Sequence, residues 1–300
     1  MREVLFPTQP NPVLNKESSP PVETRPPDLV FYAGSNPRRE DFLKFCFPNS
    51  EVIKIDPGPE DKTHAVDQIM ASKIDSALPR ARAKMLGKPD KTGIVVAADT
   101  ESFPLILDEN GKPTNLGKGK PKTIAEVRDT FQSMSEAARK MSERWGQIVN
   151  PVYYVNASSG SRDLQTNAFR PKTHGCAIEL DPEIIRTLGT VSGFNRYINE
   201  FLNFFSNPKY LQNPNHPPIS LTNIAGGIDV AVLSRLGAVI KVDDIQKDAI
   251  DFKQTLGYAI NHAIVGIHST VLRPFNPNID EKVKNWQWQQ VVTDYAMGEV

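Results

Sequence analysis

Hydrophobic residues recur along this chain either in short continuous runs or at the spacing of a helix face, and the two patterns alternate. Continuous or alternating apolar runs predict strands, because one or both faces of a strand are buried in a sheet. Apolar positions three and four residues apart predict helices. The predicted strands are residues 29–33, 51–56, 93–101, 151–157, 173–180 and 238–242. The predicted helices begin near residues 37, 66, 123 and 181.

The order of these elements predicts an α/β domain with a mixed, strongly twisted sheet flanked by helices. Residues 158–162 are predicted as a polar turn, and a helix is predicted over residues 66–86, with its apolar stripe interrupted at Pro79. Residues 1–28 are rich in proline and poor in core-forming residues, which predicts an extended or disordered tail. Residues 29–275 are predicted to form the domain, and residues 276–300 a C-terminal tail with a short helix.

Residues 34–40, Gly-Ser-Asn-Pro-Arg-Arg-Glu, join the first predicted strand to the first predicted helix. The glycine allows a sharp turn, Ser35 or Asn36 can cap the helix, and proline suits its first position. Free backbone N–H groups and the positive end of the helix dipole favour an anion there. Arg38 or Arg39 could donate a bidentate pair of hydrogen bonds to a phosphate. The segment therefore predicts a phosphate-binding turn, with a capped, solvated helix start as the alternative.

Asp99 lies at the carboxyl end of the buried run of residues 93–98. In open α/β sheets ligands bind beyond the carboxyl ends of the strands, and a carboxylate there can hold Mg²⁺ or orient a water beside a phosphate. The alternative is a capping aspartate in a turn with Thr100. Further along, Lys118 and Lys120 lie among glycines, in a loop from which an ammonium group can reach a phosphate.

The charge balance gives no sign of a polyanionic partner. Lysine plus arginine and aspartate plus glutamate both number 35 in the 300 residues, so neither a nucleic acid polymer nor a membrane surface is expected. The two cysteines, Cys46 and Cys176, lie in apolar surroundings without a CxxC spacing, which favours a reducing compartment. No stretch approaches the roughly 18 apolar residues of a membrane helix, and the N-terminus lacks the apolar core of a signal peptide. We therefore expect a cytoplasmic protein.

Nucleophilic and zinc chemistry find little support in the sequence. No Ser, His and Asp order favours a hydrolytic triad, and the 5 histidines lack the spacing of zinc ligands. Phosphate chemistry remains, because the paired arginines, Asp99 and the loop lysines could position Mg²⁺ and water for in-line attack on a phosphorus.

The order of these segments resembles the Maf-like nucleotide pyrophosphatases, within the inosine triphosphate pyrophosphatase-like superfamily, with this chain as a divergent member. Residues 34–40 are similar to the Ala-Ser-Pro-Arg-Arg turn that opens that family. Residues 81–84 (Ala-Arg-Ala-Lys) stand where the family has its Lys-Ala helix, and residues 98–100 match its strand-end Ala-Asp-Thr. Residues 117–121 (Gly-Lys-Gly-Lys-Pro) resemble its Gly-Lys-Pro segment, with a small insertion.

The resemblance implies an inosine triphosphate pyrophosphatase-like fold with a nucleotide cleft at the strand ends. It implies hydrolysis of nucleoside triphosphates, including non-standard or modified ones, to monophosphate and pyrophosphate with Mg²⁺ or Mn²⁺, and a homodimer. Asp99 would be the catalytic base or metal carboxylate, and Asp56 with Glu60 or Asp61 would complete the metal ligands. The phosphate-binding residues would be Ser35, Arg38, Arg39, Lys84 and Lys120, with Lys118 the alternate for Lys120.

Two other classes of function stay open. A non-catalytic nucleotide-binding or interaction protein on the same fold would keep the arginine turn and bind nucleotide without turnover. A structural protein in which the arginine turn only caps a helix would show neither nucleotide binding nor metal dependence.

Overall fold

Strands and helices alternate over residues 29–107, as the hydrophobic pattern predicts, and consecutive strands and consecutive helices follow further along the chain. The computed structural model describes residues 25–61, 64–107, 113–114, 120–205, 219–224, 227–245, 251–264, 266–284 and 286–298. Lys118 and most of the predicted N-terminal tail lie outside these ranges. The strands in these ranges are β1 (Leu29–Ala33), β2 (Glu51–Ile55), β3 (Gly93–Leu107), β4 (Pro113–Thr114), β5 (Val152–Asp163), β6 (Phe169–Leu180) and β7 (Val239–Asp244).

The helices flank this set of strands. Those in the described ranges are α1 (Pro37–Cys46), α2 (Val66–Met85), α3 (Ile124–Trp145), α4 (Pro182–Leu188), α5 (Val191–Phe205), α6 (Val230–Arg235), α7 (Phe252–Ile264), α8 (Ile279–Lys284) and α9 (Gln287–Met297). Short 3-10 helices occur at Leu221–Asn223, Ser269–Val271 and Arg273–Phe275. None of the described helices is long and apolar enough to cross a membrane.

One mixed sheet contains all the described strands. Its order is β2-β1-β3-β5-β6-β7, and β4 pairs with β3 off this path. The neighbours β2, β1 and β3 are parallel, whereas β3, β5, β6 and β7 are antiparallel to one another in turn. The predicted fold class, an α/β domain with a mixed sheet flanked by helices, is confirmed.

The central strand β3 is longer than its parallel neighbour. It spans 15 residues, but its pairing with β1 ends at Ala33 opposite Ala97. Its pairing with β5 continues as far as Leu105. Asp99 therefore lies just beyond the point where the parallel part of the sheet ends, which is where the sequence predicts a ligand.

Two apolar clusters cover the two faces of the sheet. On one face, Val95 and Ala97 of β3 pack with Met70 and Ile74 of α2, and we name this side the α2 face. On the other, Ile94, Val96 and Ala98 of β3 join a larger cluster that includes residues of α3, α5 and α6, and we name it the opposite face. Residues beyond 275 contribute to the same larger cluster. The alternation along β3 follows from the period of two in a strand.

The structure corrects the predicted polar turn at residues 158–162. β5 continues to Asp163, and Ser159 and Ser161 are buried within it. The Ser161 hydroxyl donates to the Val271 carbonyl at 2.6 Å, and such a partner offsets the cost of burying a hydroxyl. The predicted helix over residues 66–86 is confirmed, because α2 runs through the exposed Pro79 as one helix.

Candidate active site

The turn between β1 and α1 is held by its own polar groups. Asn36 is the N-cap, and its Oδ1 accepts a hydrogen bond from the Arg38 backbone N–H at 2.9 Å. A Cβ atom on Gly34 would lie 2.5 Å from the Tyr32 hydroxyl oxygen, so the glycine is required by the close approach of that ring. Ser35 is exposed at the tip of the turn.

The two arginines after this turn have different surroundings. Arg38 is half-buried, and burial lowers the pKa of its guanidinium, an effect that the charge of Asp41 opposes. Arg39 is 8% exposed. Its Nη1 donates to the Ala98 carbonyl at 2.8 Å and its Nη2 to the Thr100 hydroxyl at 2.7 Å. The pairing of β3 with β1 stops at Ala97. Arg39 therefore donates hydrogen bonds to β3 just beyond the point where β1 stops pairing with it.

A buried lysine joins two carboxylates beside this point. Lys73 of α2 has a side chain that is 6% exposed, and its Nζ lies 3.0 Å from Asp99 Oδ1 and 3.0 Å from Glu60 Oε1. The Asp99 and Glu60 side chains are 15% and 27% exposed. Burial of an ammonium group is costly unless it is paired, and here two carboxylates pair with it. We call Lys73, Asp99 and Glu60 the ion triplet.

Lys73 is not among the site residues predicted from the sequence, because a lysine on a helix usually lies on its solvated face. The position of Lys73 among the apolar residues of α2 nevertheless indicates that its side chain is on the buried side of the helix. Met70, Ile74 and Ala77 form the buried stripe of α2, and Lys73 lies three residues after the first of them and four before the last. Positions three and four apart share a helix face, so a lysine there points toward the sheet.

The predicted metal ligands are only partly brought together. Asp56 has a side chain that is 73% exposed and lies 3.8 Å from Arg80 Nη2, apart from the ion triplet. Across the residues that can be described, no group of three or more His, Cys, Asp or Glu side chains could hold a metal ion. Asp99 and Glu60 do converge on one cationic position, the Lys73 ammonium. Two carboxylates fit a Mg²⁺ ion that keeps water and phosphate as its other ligands.

The two remaining lysine candidates are exposed. Lys84 lies in the last turn of α2, about 16 Å along the helix axis from Lys73 at 1.5 Å per residue. Lys120 precedes α3. Phosphate binding by either residue stays a prediction.

Comparison with known proteins gives a likeness among solved structures and none among family models or curated proteins. No family model matches the chain, and no curated protein matches it. Among solved structures, the chain is similar to the Staphylococcus aureus Ham1 protein, at 15% identity and a TM-score of 0.32. The alignment covers 51% of this chain and 72% of the Ham1 chain. A likeness at this level carries no argument about activity, so the site has to be judged on its own geometry.

A second polar group lies on the opposite face. The Ser159 hydroxyl and His268 Nδ1 are 2.6 Å apart, and the His268 backbone N–H donates to the same hydroxyl oxygen at 3.0 Å. On the adjacent strands, His174 Nε2 lies 3.3 Å from Asp244 Oδ1, with both side chains nearly buried.

Burial, with smaller effects from the nearby charges of His174, Lys172 and Arg39, lowers the pKa of His268 to about 3. The imidazole is therefore neutral at neutral pH. The spacing of the histidines in the sequence does not predict that His174 and His268 lie near each other on this face. The polar residues of the face come from three strands and from the segment before residues 269–271.

Proposed function

We propose that this protein hydrolyses nucleoside triphosphates to nucleoside monophosphates and pyrophosphate. The observation that carries the proposal is the ion triplet, which holds an ammonium and two carboxylates at the strand edge beside the β1–α1 turn. A cation for phosphate oxygens and a carboxylate for water are the groups that in-line attack on phosphorus requires. The sequence resemblance to the Maf-like and inosine triphosphate pyrophosphatases supports the same reaction.

In this proposal the charged residues divide the steps of the reaction between them. Asp99 orients the attacking water and accepts its proton, and Lys73 moves from the carboxylates to the phosphate oxygens as negative charge develops there. Ser35 and Arg38, at the positive end of the α1 helix dipole, bind the phosphates that leave as pyrophosphate. Arg39 positions Asp99, since it holds β3 on both sides of that residue.

The proposal includes Mg²⁺ or Mn²⁺, held by Asp99 and Glu60 together with the phosphates of the substrate. The ion would neutralise charge on the phosphate oxygens. Lys73 would release the two carboxylates for this purpose when the nucleotide binds. We include non-standard or modified nucleotides as substrates, a cytoplasmic location and a homodimer, all on the basis of the sequence resemblance.

One observation favours a second candidate, a protein that binds nucleotides without hydrolysing them. Both carboxylates of the ion triplet pair with Lys73. If nucleotide binding does not draw the ammonium away, Asp99 keeps this partner and does not activate water. The phosphate-binding turn would still work, because Ser35 and Arg38 are outside the ion triplet.

The test is pyrophosphate release from a panel of normal and modified nucleoside triphosphates, with Mg²⁺, with Mn²⁺ and with a chelator. We expect release that requires the metal and falls at least about 100-fold in Asp99→Asn. Asp129→Asn is the matched control, because Asp129 is an exposed aspartate of α3. Binding of the panel without release would favour the second candidate. Release that persists in Asp99→Asn would contradict the proposed role of this carboxylate.

A further inference from the structure

Three side chains on the α2 face follow one another along β3. Asp99, Glu101 and Phe103 alternate with residues of the opposite face, so they lie on one side of the strand. At about 3.3 Å per residue, each lies about 7 Å beyond the one before it. The register with β5 places Ser158, Asn156 and Tyr154 beside them in the same order.

The middle step of this row is a hydrogen-bonded pair. Asn156 Nδ2 donates to Glu101 Oε1 at 3.2 Å, and both residues are partly exposed. The neighbour of Asn156 on β6 is Gly175, where a Cβ atom would collide with Asn156 Oδ1. The glycine therefore leaves the space that the amide occupies. A carboxylate accepts several hydrogen bonds and an amide both donates and accepts, which is the chemistry that binds adjacent hydroxyl groups of a sugar.

The outer step is a pair of aromatic rings. The Phe103 and Tyr154 centroids are 5.8 Å apart with an interplanar angle of 26°. Both side chains are partly exposed, whereas Phe31, Tyr32 and Tyr153 of the same sheet are buried. Aromatic side chains that stay accessible beside a polar row are typical platforms for planar bases.

We propose that Glu101, Asn156, Phe103 and Tyr154 form a nucleoside-binding strip, in which the first two bind ribose hydroxyls and the two rings stack on the base. This inference rests on the proposed function, because it assumes that the phosphates lie at Lys73 and Asp99. The order of groups along β3, from the ion triplet to the polar pair to the aromatic pair, repeats the order of phosphate, sugar and base in a nucleotide.

The strip predicts that base and phosphate recognition can be separated by substitution. We would measure binding of the α,β-imido analogues of ATP and GTP, which resist cleavage at that bond, and of inorganic tripolyphosphate, which has no sugar or base. Phe103→Leu and Tyr154→Leu keep apolar bulk but remove a stacking face. Each should weaken binding of the analogues about tenfold or more. Binding of tripolyphosphate should be unchanged, which also shows that the variants are folded.

Phe45→Leu is the matched control, since Phe45 is an exposed aromatic residue of α1 outside the strip, and this variant should bind the analogues as the wild type does. The polar pair is tested with a 2′,3′-dideoxynucleoside triphosphate. The wild type should bind it more weakly than the ribonucleotide, and Glu101→Ala should remove most of that difference.

The outcomes distinguish this inference from the proposed function. If the wild type binds tripolyphosphate as tightly as the analogues, or if the leucine variants bind the analogues normally, the strip is wrong while phosphate binding stands. If the wild type binds neither probe, the proposed function itself fails. If the leucine variants change only the oligomeric state of the protein, as measured by sedimentation, this face binds a second copy and the inference is overturned.

Discussion

Charged side chains near Asp99 have different partners on the two faces of β3. On the α2 face, Lys73, Asp99 and Glu60 keep some access to solvent, and the Lys73 ammonium lies 3.0 Å from each carboxylate. On the opposite face, the Arg39 guanidinium is buried and donates to a backbone carbonyl and to the Thr100 hydroxyl. A single step along the chain, from residue 99 to residue 100, therefore separates a candidate reaction site from the support beneath it.

This difference teaches that adjacent residues of a sequence motif can serve different purposes. Substitutions on the α2 face should change catalysis more than stability, and those on the opposite face should do the reverse. The following three changes test that division, from the largest expected effect to the smallest.

Lys73→Met should have the largest effect. It removes the cation proposed for the phosphate oxygens and leaves two carboxylates next to each other, so we expect the rate of pyrophosphate release to fall about 100-fold or more. Lys140→Met, at an exposed lysine of α3 that pairs with Glu136, is the control and should stay close to wild type. A Lys73→Met protein with normal turnover would remove the ion triplet from the mechanism.

Arg39→Met tests the opposite face. It deletes the donors to the Ala98 carbonyl and the Thr100 hydroxyl, and a buried acceptor left without its partner costs about 1–3 kcal/mol. We expect the free energy of unfolding, measured by chemical denaturation, to fall by about that amount. Arg186→Met removes an exposed arginine paired with Glu183 and should cost less than about 1 kcal/mol. Equal losses in the two variants would show that Arg39 does not support β3.

His268 on the opposite face should make stability depend on pH. Its pKa of about 3 in the folded protein lies below the ordinary value of 6.5, so the unfolded chain takes up a proton first as the pH falls. The stabilisation is present above pH 6.5 and is lost as the pH falls toward 3, at no more than about 1.4 kcal/mol per pH unit.

The measurement is the difference in unfolding free energy between wild type and His268→Gln, because other titrating groups cancel in it. Asp229 is one such group, since burial raises its pKa to about 6 and gives a contribution that is lost as the pH rises through that value. The difference should be widest above pH 6.5 and shrink in acid. A difference that does not change with pH would mean that His268 is not held neutral by the fold.

Local patterns were sufficient to predict most of the fold. The capped start of α1 and the buried run of β3 are readable from neighbouring residues, because capping and strand burial depend on short-range rules. The extension of β5 through Ser159 and Ser161 is not readable in this way. The hydroxyl groups of these serines find their hydrogen-bond partners far along the chain. Ser159 pairs with His268, 109 residues away, and Ser161 with Val271, 110 residues away.

The candidate site likewise contains residues that local patterns predict and one that they do not. Asp99 could be predicted because it ends an apolar run, and Glu60 could be predicted only as one of several carboxylates after β2. Lys73 was missed although its helical position gives the signal, because a lysine is usually solvated. Its burial depends on two carboxylates from different segments, and that combination exists only after folding.

The unequal pairing of β3 has a consequence for motion. Between residues 94 and 97 the strand has a partner on each side, β1 and β5, and its side chains are buried. From residue 98 to 105, β5 is its partner among the strands that can be described. Amide hydrogens in the inner half should therefore exchange only when the whole domain opens, whereas those in the outer half can exchange through local opening. Asp99 lies at this boundary, so the proposed reaction site joins a part of β3 that should resist exchange to a part that should exchange through local opening.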